Sequence, residues 1–345
     1  MKNIYFDNKN ACLVFDDLTS EYLIGAPLEE GYLVVADRKT CFIDARSYNG
    51  VKTSLEEKGV DVRLFKSLAD IKNFLTEIGT KNLYLDFSKT SVKRYKELTE
   101  FGFIIKDAEE ILNLARSIKS ETEIKDIKKA CVIAQKALYK ALETVKVGIS
   151  ELELKEQIEN NIIEFGGSGT SFETIVAFGK NGAIPHHKTS EEKLENNQAI
   201  LIDMGAKYNG YCSDITRTFF FGSPSQKFVE YYNAVLSANE IAIDKINCGT
   251  STCSADAFAR TVLEKAGLGE YFTHSLGHGV GMEVHEYPTL SPKQKAELKE
   301  NMVFTIEPGV YIENEFGIRI EDTVLLTNKG VKRLFTDSKE LKIIK

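Results

Sequence analysis

The sequence predicts an α+β protein, with a smaller α/β domain at residues 1–114 ahead of a larger domain at 115–345 that carries an internal pseudo-twofold. Three observations predict it. The first third alternates short strand-like and helix-like pieces. The pattern changes at Ala115-Arg116-Ser117-Ile118-Lys119, where a capping box opens a long helix. Beyond that point one order of elements occurs twice: helix, Gly-x-Ser, helix, then a strand pair bearing two acids.

In the first third, Tyr32–Ala36 and Thr40–Asp44 flank Asp37-Arg38-Lys39 and read as a hairpin. Val62–Phe65 reads as a strand and Leu68–Ile78 as a helix stopped by Gly79. Asn82–Phe87, Val92–Phe101 and Phe103–Ile105 follow as strand, helix and strand. No chemical constellation stands out here.

Ser120-Glu121-Thr122-Glu123 caps a helix running to about Val145, with Ile124, Ile127, Cys131, Ala134, Leu138, Ala141 and Leu142 at core spacing. Gly148 ends it, and Ser150-Glu151-Leu152-Glu153 caps the next helix, to Phe165. The second half repeats the plan with a helix from Gln226 to Ile246, Gly249-Thr250-Ser251, and a helix from about Ser254 to Lys265. A second strand pair is expected between Met302–Glu307 and Ile318–Asp322.

Composition bounds the function. A chain of 345 residues exceeds one small core. A net charge of −7, with no basic run, argues against nucleic acid or an anionic membrane as partner. No apolar stretch is long enough to span a bilayer, and Met1–Asp7 has no apolar run, so neither a membrane segment nor a signal peptide is expected. Six scattered cysteines without a CxxC read as reduced thiols of a cytoplasmic protein.

The chemistry begins at Asn209-Gly210, a strong two-residue hairpin signal between strand-like runs. Such a turn pairs Tyr208 with Tyr211 and therefore Asp203 with Thr216. Asp214, two residues from Thr216, shares the face of Asp203, with the two backbones about 7–8 Å apart. Two ionised carboxylates there repel unless a cation lies between them. Glu307 and Glu321 play the same part in the second strand pair, and His278 stands in a glycine-rich segment before it. Four carboxylates and one imidazole suit Mn²⁺, Co²⁺, Fe²⁺ or a catalytic Zn²⁺. Four negative charges are balanced by two divalent ions, which in a two-metal site lie about 3.5–4 Å apart and activate a water. Each acid taken alone would pass for a turn or surface residue; the joint pattern carries the reading.

The segments Ser213–Thr218, His274–Glu286, Thr305–Tyr311 and Gly317–Asp322, with Asp203, resemble the proline-specific pita-bread metallopeptidases, the Xaa-Pro aminopeptidases and Xaa-Pro dipeptidases. The first domain resembles the creatinase-type N-terminal domain in size and pattern. The resemblance implies that Asp203 chelates one ion, that Asp214 and Glu321 bridge both, and that His278 and Glu307 complete the other. Glu307 would be the general base toward a bridging hydroxide, His186 a substrate contact, and His285 the donor to the developing oxyanion. His274 would stand at the site rim and Tyr311 near it, with Arg319 and Thr216 orienting Glu321 and Asp214. His187 is expected to be incidental and Arg217 to serve a structural ion pair. The substrates implied are small peptides with proline second, and a homodimer is expected. Val284–Thr289 contains no arginine to pair with a dipeptide's carboxylate, which leans toward longer peptides. The rival readings are a methionine aminopeptidase, which the first domain and His274 disfavour, a creatinase-like hydrolase, and a non-catalytic peptide-binding protein of the same fold.

Overall fold

The computed structural model describes residues 4–28 and 31–345 and divides into two compact units, Met1–Arg116 and Ser117–Lys345. Residues 1–3, on which the expectation of no signal peptide partly rests, lie outside the described residues. Among the described residues, no helix is long and apolar enough to cross a membrane.

Among its described residues the first unit is built on six strands: β1 Asn10–Val14, β2 Tyr32–Val35, β3 Lys39–Asp44, β4 Asp61–Phe65, β5 Asn82–Leu85 and β6 Ile104–Asp107. They lie in the order β4-β3-β2-β1-β5-β6. The β1–β2 and β2–β3 pairs are antiparallel and the others parallel. Side chains alternate between two cores, as a sheet covered on both faces requires. Cys12, Val14, Leu33, Val35, Cys41 and Ile43 fill one; Ala11, Leu13, Val34, Phe42, Leu83 and Leu85 fill the other. The sequence reading omitted β1 and the helices Asp17–Ile24, Ala45–Glu57 and Glu109–Ser117. Ala45–Glu57 gave no apolar stripe because Leu55 is its one buried residue.

In the second unit, helices Glu121–Leu142 and Glu151–Glu164 pack beside the sheet formed by Ile175–Phe178, Gln198–Met204, Ile215–Phe221 and Ile343–Ile344. Helices Gln226–Lys245 and Thr252–Lys265 accompany a second sheet, ordered Glu286–Leu290, Gly277–Gly279, Val303–Ile306, Asp322–Thr327, Gly330–Arg333. The Gly-x-Ser echo is a true structural repeat. Gly148 and Gly249 both have φ +87°, a left-handed conformation that favours glycine. Their N–H groups donate to Leu194 O and Leu298 O, each at 2.9 Å. Ser150 and Ser251 then cap the following helices.

Each half also contributes one long hairpin with an interruption. In the first, Asn209 and Gly210 have φ of 49° and 80°, the turn those residues favour, and Tyr208 faces Tyr211. Asp203 faces Thr216 in the same register, with the ladder broken around Gly205 and Ser213-Asp214. The second hairpin corrects the expected pairing. Val303–Ile306 pairs with Asp322–Thr327, so that of the expected 318–322 only Asp322 takes part. Phe316–Arg319 pairs with Gly309–Ile312 across a turn at Asn314. Pro308 has no N–H to give the ladder, so the pairing breaks there. Because Ile306 faces Asp322 and Gly309 faces Arg319 in one register, Glu307 falls opposite Glu321 at the break.

Candidate active site

The two interruptions meet. At each, backbone groups freed from their own hairpin are taken up by another strand. Glu321 N donates to Thr216 O at 3.1 Å and Glu307 N to Leu276 O at 2.8 Å. Asp214 N donates to Thr323 Oγ1, which in turn donates to Asp214 O at 2.7 Å. The acids are therefore carried on backbone held from both sides.

His278 reaches them from the short strand Gly277–Gly279. Its neighbours must be glycines: a Cβ on Gly277 would stand 2.0 Å from Thr305 O, and one on Gly279 2.3 Å from Tyr287 O. The His278 N–H donates to Thr305 Oγ1 at 3.0 Å, and Nδ1 lies 3.2 Å from Gly279 O. A carbonyl only accepts, so Nδ1 carries the proton and Nε2 faces the acids. Nε2 is 3.3 Å from Glu307 Oε1 and 3.6 Å from Asp214 Oδ2. Ligand atoms of Asp214, His278 and Glu321 lie within 4.8 Å of one another.

Asp203 and Glu321 each have one carboxylate oxygen secured and one left over. Arg319 Nη2 donates to Asp203 Oδ2 at 2.7 Å, and Thr216 Oγ1 donates to Glu321 Oε2 at 2.6 Å. Asp203 Oδ1, Asp214 Oδ1 and Glu321 Oε1 are buried and, among the described residues, have no hydrogen-bond partner. Burial raises the carboxyls of Asp214 and Glu321 well above the usual range, and the neighbouring acids push them further. Burial also raises Asp203, against the opposing charge of Arg319. Burial would raise Glu307 too, but the hydrogen bond and charge of His278 prevail and hold it down to about 2. His278 is correspondingly raised by Glu307 in spite of burial. Unpartnered buried oxygens, an excess of negative charge and one imidazole lone pair make a donor set that fits divalent cations.

The supporting contacts differ from those expected. Thr216 serves Glu321 rather than Asp214, and Arg319 serves Asp203 rather than Glu321. Arg319 Nε also donates to Thr216 Oγ1 at 3.0 Å, so one chain of bonds links both hairpins. Arg319 Nη1 donates to Tyr311 Oη at 2.7 Å, and Tyr311 Oη lies 2.8 Å from His274 Nε2. His274 Nδ1 faces Ser275 O at 2.8 Å, so its Nε2 accepts the Tyr311 proton. Arg217 forms a buried ion pair with Asp322 and Asp337, each at 2.7 Å, and its Nη1 also donates to Thr216 O at 3.0 Å and to Glu321 O.

Two histidines stand at the mouth. His285 and His186 are both exposed. The His285 ring lies 4.3 Å from that of His278. Partial burial lowers the His285 pKa, with the charge of His278 acting in the same direction. His187, expected to be incidental, instead donates to the buried Glu151 at 2.8 Å. Sequence reasoning also missed Thr305, which accepts from His278 N and donates to Glu307 Oε1 at 3.1 Å. Its place two residues before Glu307, on the same face of the strand, was the available signal.

Comparison with known proteins shows the family and the fold. Residues 125–328 match the model of metallopeptidase family M24, and residues 8–118 match the creatinase/prolidase N-terminal domain. The chain is 39% identical to the Xaa-Pro dipeptidase of Pyrococcus horikoshii over 99% of this chain and 97% of that one. The Xaa-Pro dipeptidase structure from Bacillus anthracis superposes with a TM-score of 0.91 at 31% identity, covering 97% of this chain and 95% of the other. The X-Pro aminopeptidase structure from Thermotoga maritima superposes with a TM-score of 0.88 at 31% identity, covering 98% of both. The expected creatinase-type domain and pita-bread fold are therefore present, and the chain is an enzyme that belongs to metallopeptidase family M24.

Proposed function

We propose that this enzyme hydrolyses the peptide bond between an N-terminal residue and a following proline, with Xaa-Pro dipeptides as its preferred substrates. The observation that carries the metal-dependent part is the set of three buried carboxylate oxygens without donors, one each on Asp203, Asp214 and Glu321. The proline preference, and the choice of dipeptides over the longer peptides that the missing arginine suggested, are supported by the 39% identity to a protein named as an Xaa-Pro dipeptidase.

In this reading Asp203, Asp214, His278, Glu307 and Glu321 hold two divalent ions. An oxygen-rich set with one imidazole favours Mn²⁺ or Co²⁺, and Zn²⁺ or Fe²⁺ also suit it. Such ions supply a Lewis acid and lower the pKa of water. The chain's own groups do the rest. Glu307 takes the proton of the attacking water and passes it to the leaving imino nitrogen. His285 donates to the oxygen on which charge develops, and His186 holds the substrate near the scissile bond. Arg319 and Thr216 fix Asp203 and Glu321, while Tyr311 and His274 fix Arg319. Six free cysteines accord with a cytoplasmic setting. A homodimer is part of the proposal, and light scattering that returns the mass of a single chain would remove it.

The test is a substrate panel on protein stripped with chelator and reloaded with Mn²⁺. Ala-Pro should be cleaved faster than Ala-Pro-Ala, and the stripped protein should be inactive. Release of Met from Met-Ala-Ala without action on Ala-Pro would replace this reading with that of a methionine aminopeptidase. No hydrolysis of any peptide after Mn²⁺ or Co²⁺ addition would sink it.

A further inference from the structure

Glu151 lies outside the ligand set, and none of the chemistry above uses it. It opens the helix Glu151–Glu164 and is fully buried. A buried carboxylate persists only where donors meet it. Among the described residues the five donors to Glu151 come from a single segment, 178–190. Oε1 accepts from Phe178 N and Asn181 Nδ2, both at 2.8 Å. Oε2 accepts from His187 Nε2 at 2.8 Å, Ser190 N at 3.0 Å and Ser190 Oγ at 2.8 Å.

That segment carries His186, and a second anchor holds it. The turn Gly179–Ala183 meets the second hairpin backbone to backbone. A Cβ on Gly317 would stand 1.8 Å from Gly182 O, so no side chain fits between them. Gly317 is two residues from Arg319 on the same strand. His187 N then donates to Ile184 O at 3.1 Å, closing the turn that presents the exposed His186 ring. The loop is thus fixed to the ligand-bearing hairpin on one side and to a buried charge on the other, with His187, the residue beside His186, bonded to that charge.

We infer that Glu151, acting through His187, is a positioning residue that sets where the His186 ring meets the substrate. A carboxylate serving the core alone could draw its donors from anywhere around it; here all five flank one exposed histidine. The inference rests on the role proposed above for His186. Displacement of a substrate contact by about 1 Å can cost up to about a hundredfold in rate.

A double-mutant cycle on the Mn²⁺-loaded enzyme with Ala-Pro tests it. His186→Ala should lower kcat/KM. His187→Phe should lower it by about tenfold or more, His187→Gln should restore most of the loss, and His186→Ala/His187→Phe should be no worse than His186→Ala alone. Amide exchange across 178–190 should rise in His187→Phe while bound metal stays at the wild-type level. An unimpaired His187→Phe enzyme, or losses that simply multiply in the double variant, would overturn the positioning role while leaving His186 in place. Wild-type turnover in His186→Ala would remove the role of His186 and this inference with it. Ser190→Ala, which deletes one hydroxyl donor to Glu151, takes the place of His187→Phe in the same cycle if that variant does not fold.

Discussion

Thr216 faces Asp203 across the first hairpin but gives its hydroxyl to Glu321 of the second, at 2.6 Å. The same oxygen accepts from Arg319 Nε at 3.0 Å, and Arg319 returns to Asp203 at 2.7 Å. One buried hydroxyl thus orients acids on both hairpins. Thr216→Val keeps the shape and removes the bonds, leaving Glu321 Oε2 and Arg319 Nε without this partner. Metal affinity should fall about 10–100-fold, and stability by about 1–3 kcal/mol. Retention of metal against graded chelator, compared with the wild type, is the measurement. Equal retention would show that Glu321 needs no such support.

The carboxyl shifts make a prediction about pH in the metal-free protein. Asp214 and Glu321 are raised by burial and by neighbouring acids, so the folded state holds their protons longer than the unfolded chain does. Their contribution to stability is complete below the unfolded value of about 4 and is lost as pH rises through the raised folded values. His278, raised by Glu307 against burial, acts in the same direction above about 6.5. Glu307, depressed to about 2, acts oppositely, but only as pH falls from about 4 through 2. The Tm of chelator-stripped protein should therefore fall from pH 5 to pH 8. Mn²⁺ should raise it most at the upper end and displace protons on binding. A flat or rising Tm over that interval would contradict the assignment.

Glu307→Gln separates chemistry from folding. The amide keeps one oxygen for Thr305 Oγ1 and packs as the acid does, but it cannot take a proton from water. Turnover should fall by about 10²–10⁴-fold while far-ultraviolet circular dichroism is unchanged. Turnover near wild type would remove Glu307 as the base.

How much of this was legible follows from what sequence can encode locally. Asn209-Gly210 announced its turn because both residues adopt positive φ readily, and a two-residue turn fixes the register of everything beyond it. That placed Asp203 opposite Thr216 correctly. Pro308 carried equally local information, yet the expected strand pair ran past it, and so the inner hairpin Gly309–Ile312/Phe316–Arg319 was missed. The exchange of partners between Thr216 and Arg319 was beyond reach, because register orders residues within a hairpin and not the facing of two hairpins. Glu151 illustrates the same limit: its helix cap was visible in Ser150-x-x-Glu153, but its donors lie 27 to 39 residues away in the chain.

Gly277 supplies the most demanding test of how His278 is held. An added Cβ would stand 2.0 Å from Thr305 O and 2.8 Å from Thr305 Oγ1, both inside van der Waals contact. Neither atom is free to move: Thr305 is buried in the strand facing Thr323, and its hydroxyl ties His278 N to Glu307 Oε1. Gly277→Ala must therefore push the short strand away from Val303–Ile306 and carry His278 Nε2 off the acids. Overpacking of this kind costs about 1–3 kcal/mol. The loss should appear both as a lowered denaturation midpoint in the metal-free protein and as weaker metal binding. Serine at 277 should do no better, since the clash is with the Cβ and not with what it carries. A Gly277→Ala protein that binds metal and melts as the wild type does would mean that the strand can yield without moving His278. The glycine before the histidine would then be a matter of backbone freedom rather than of close approach.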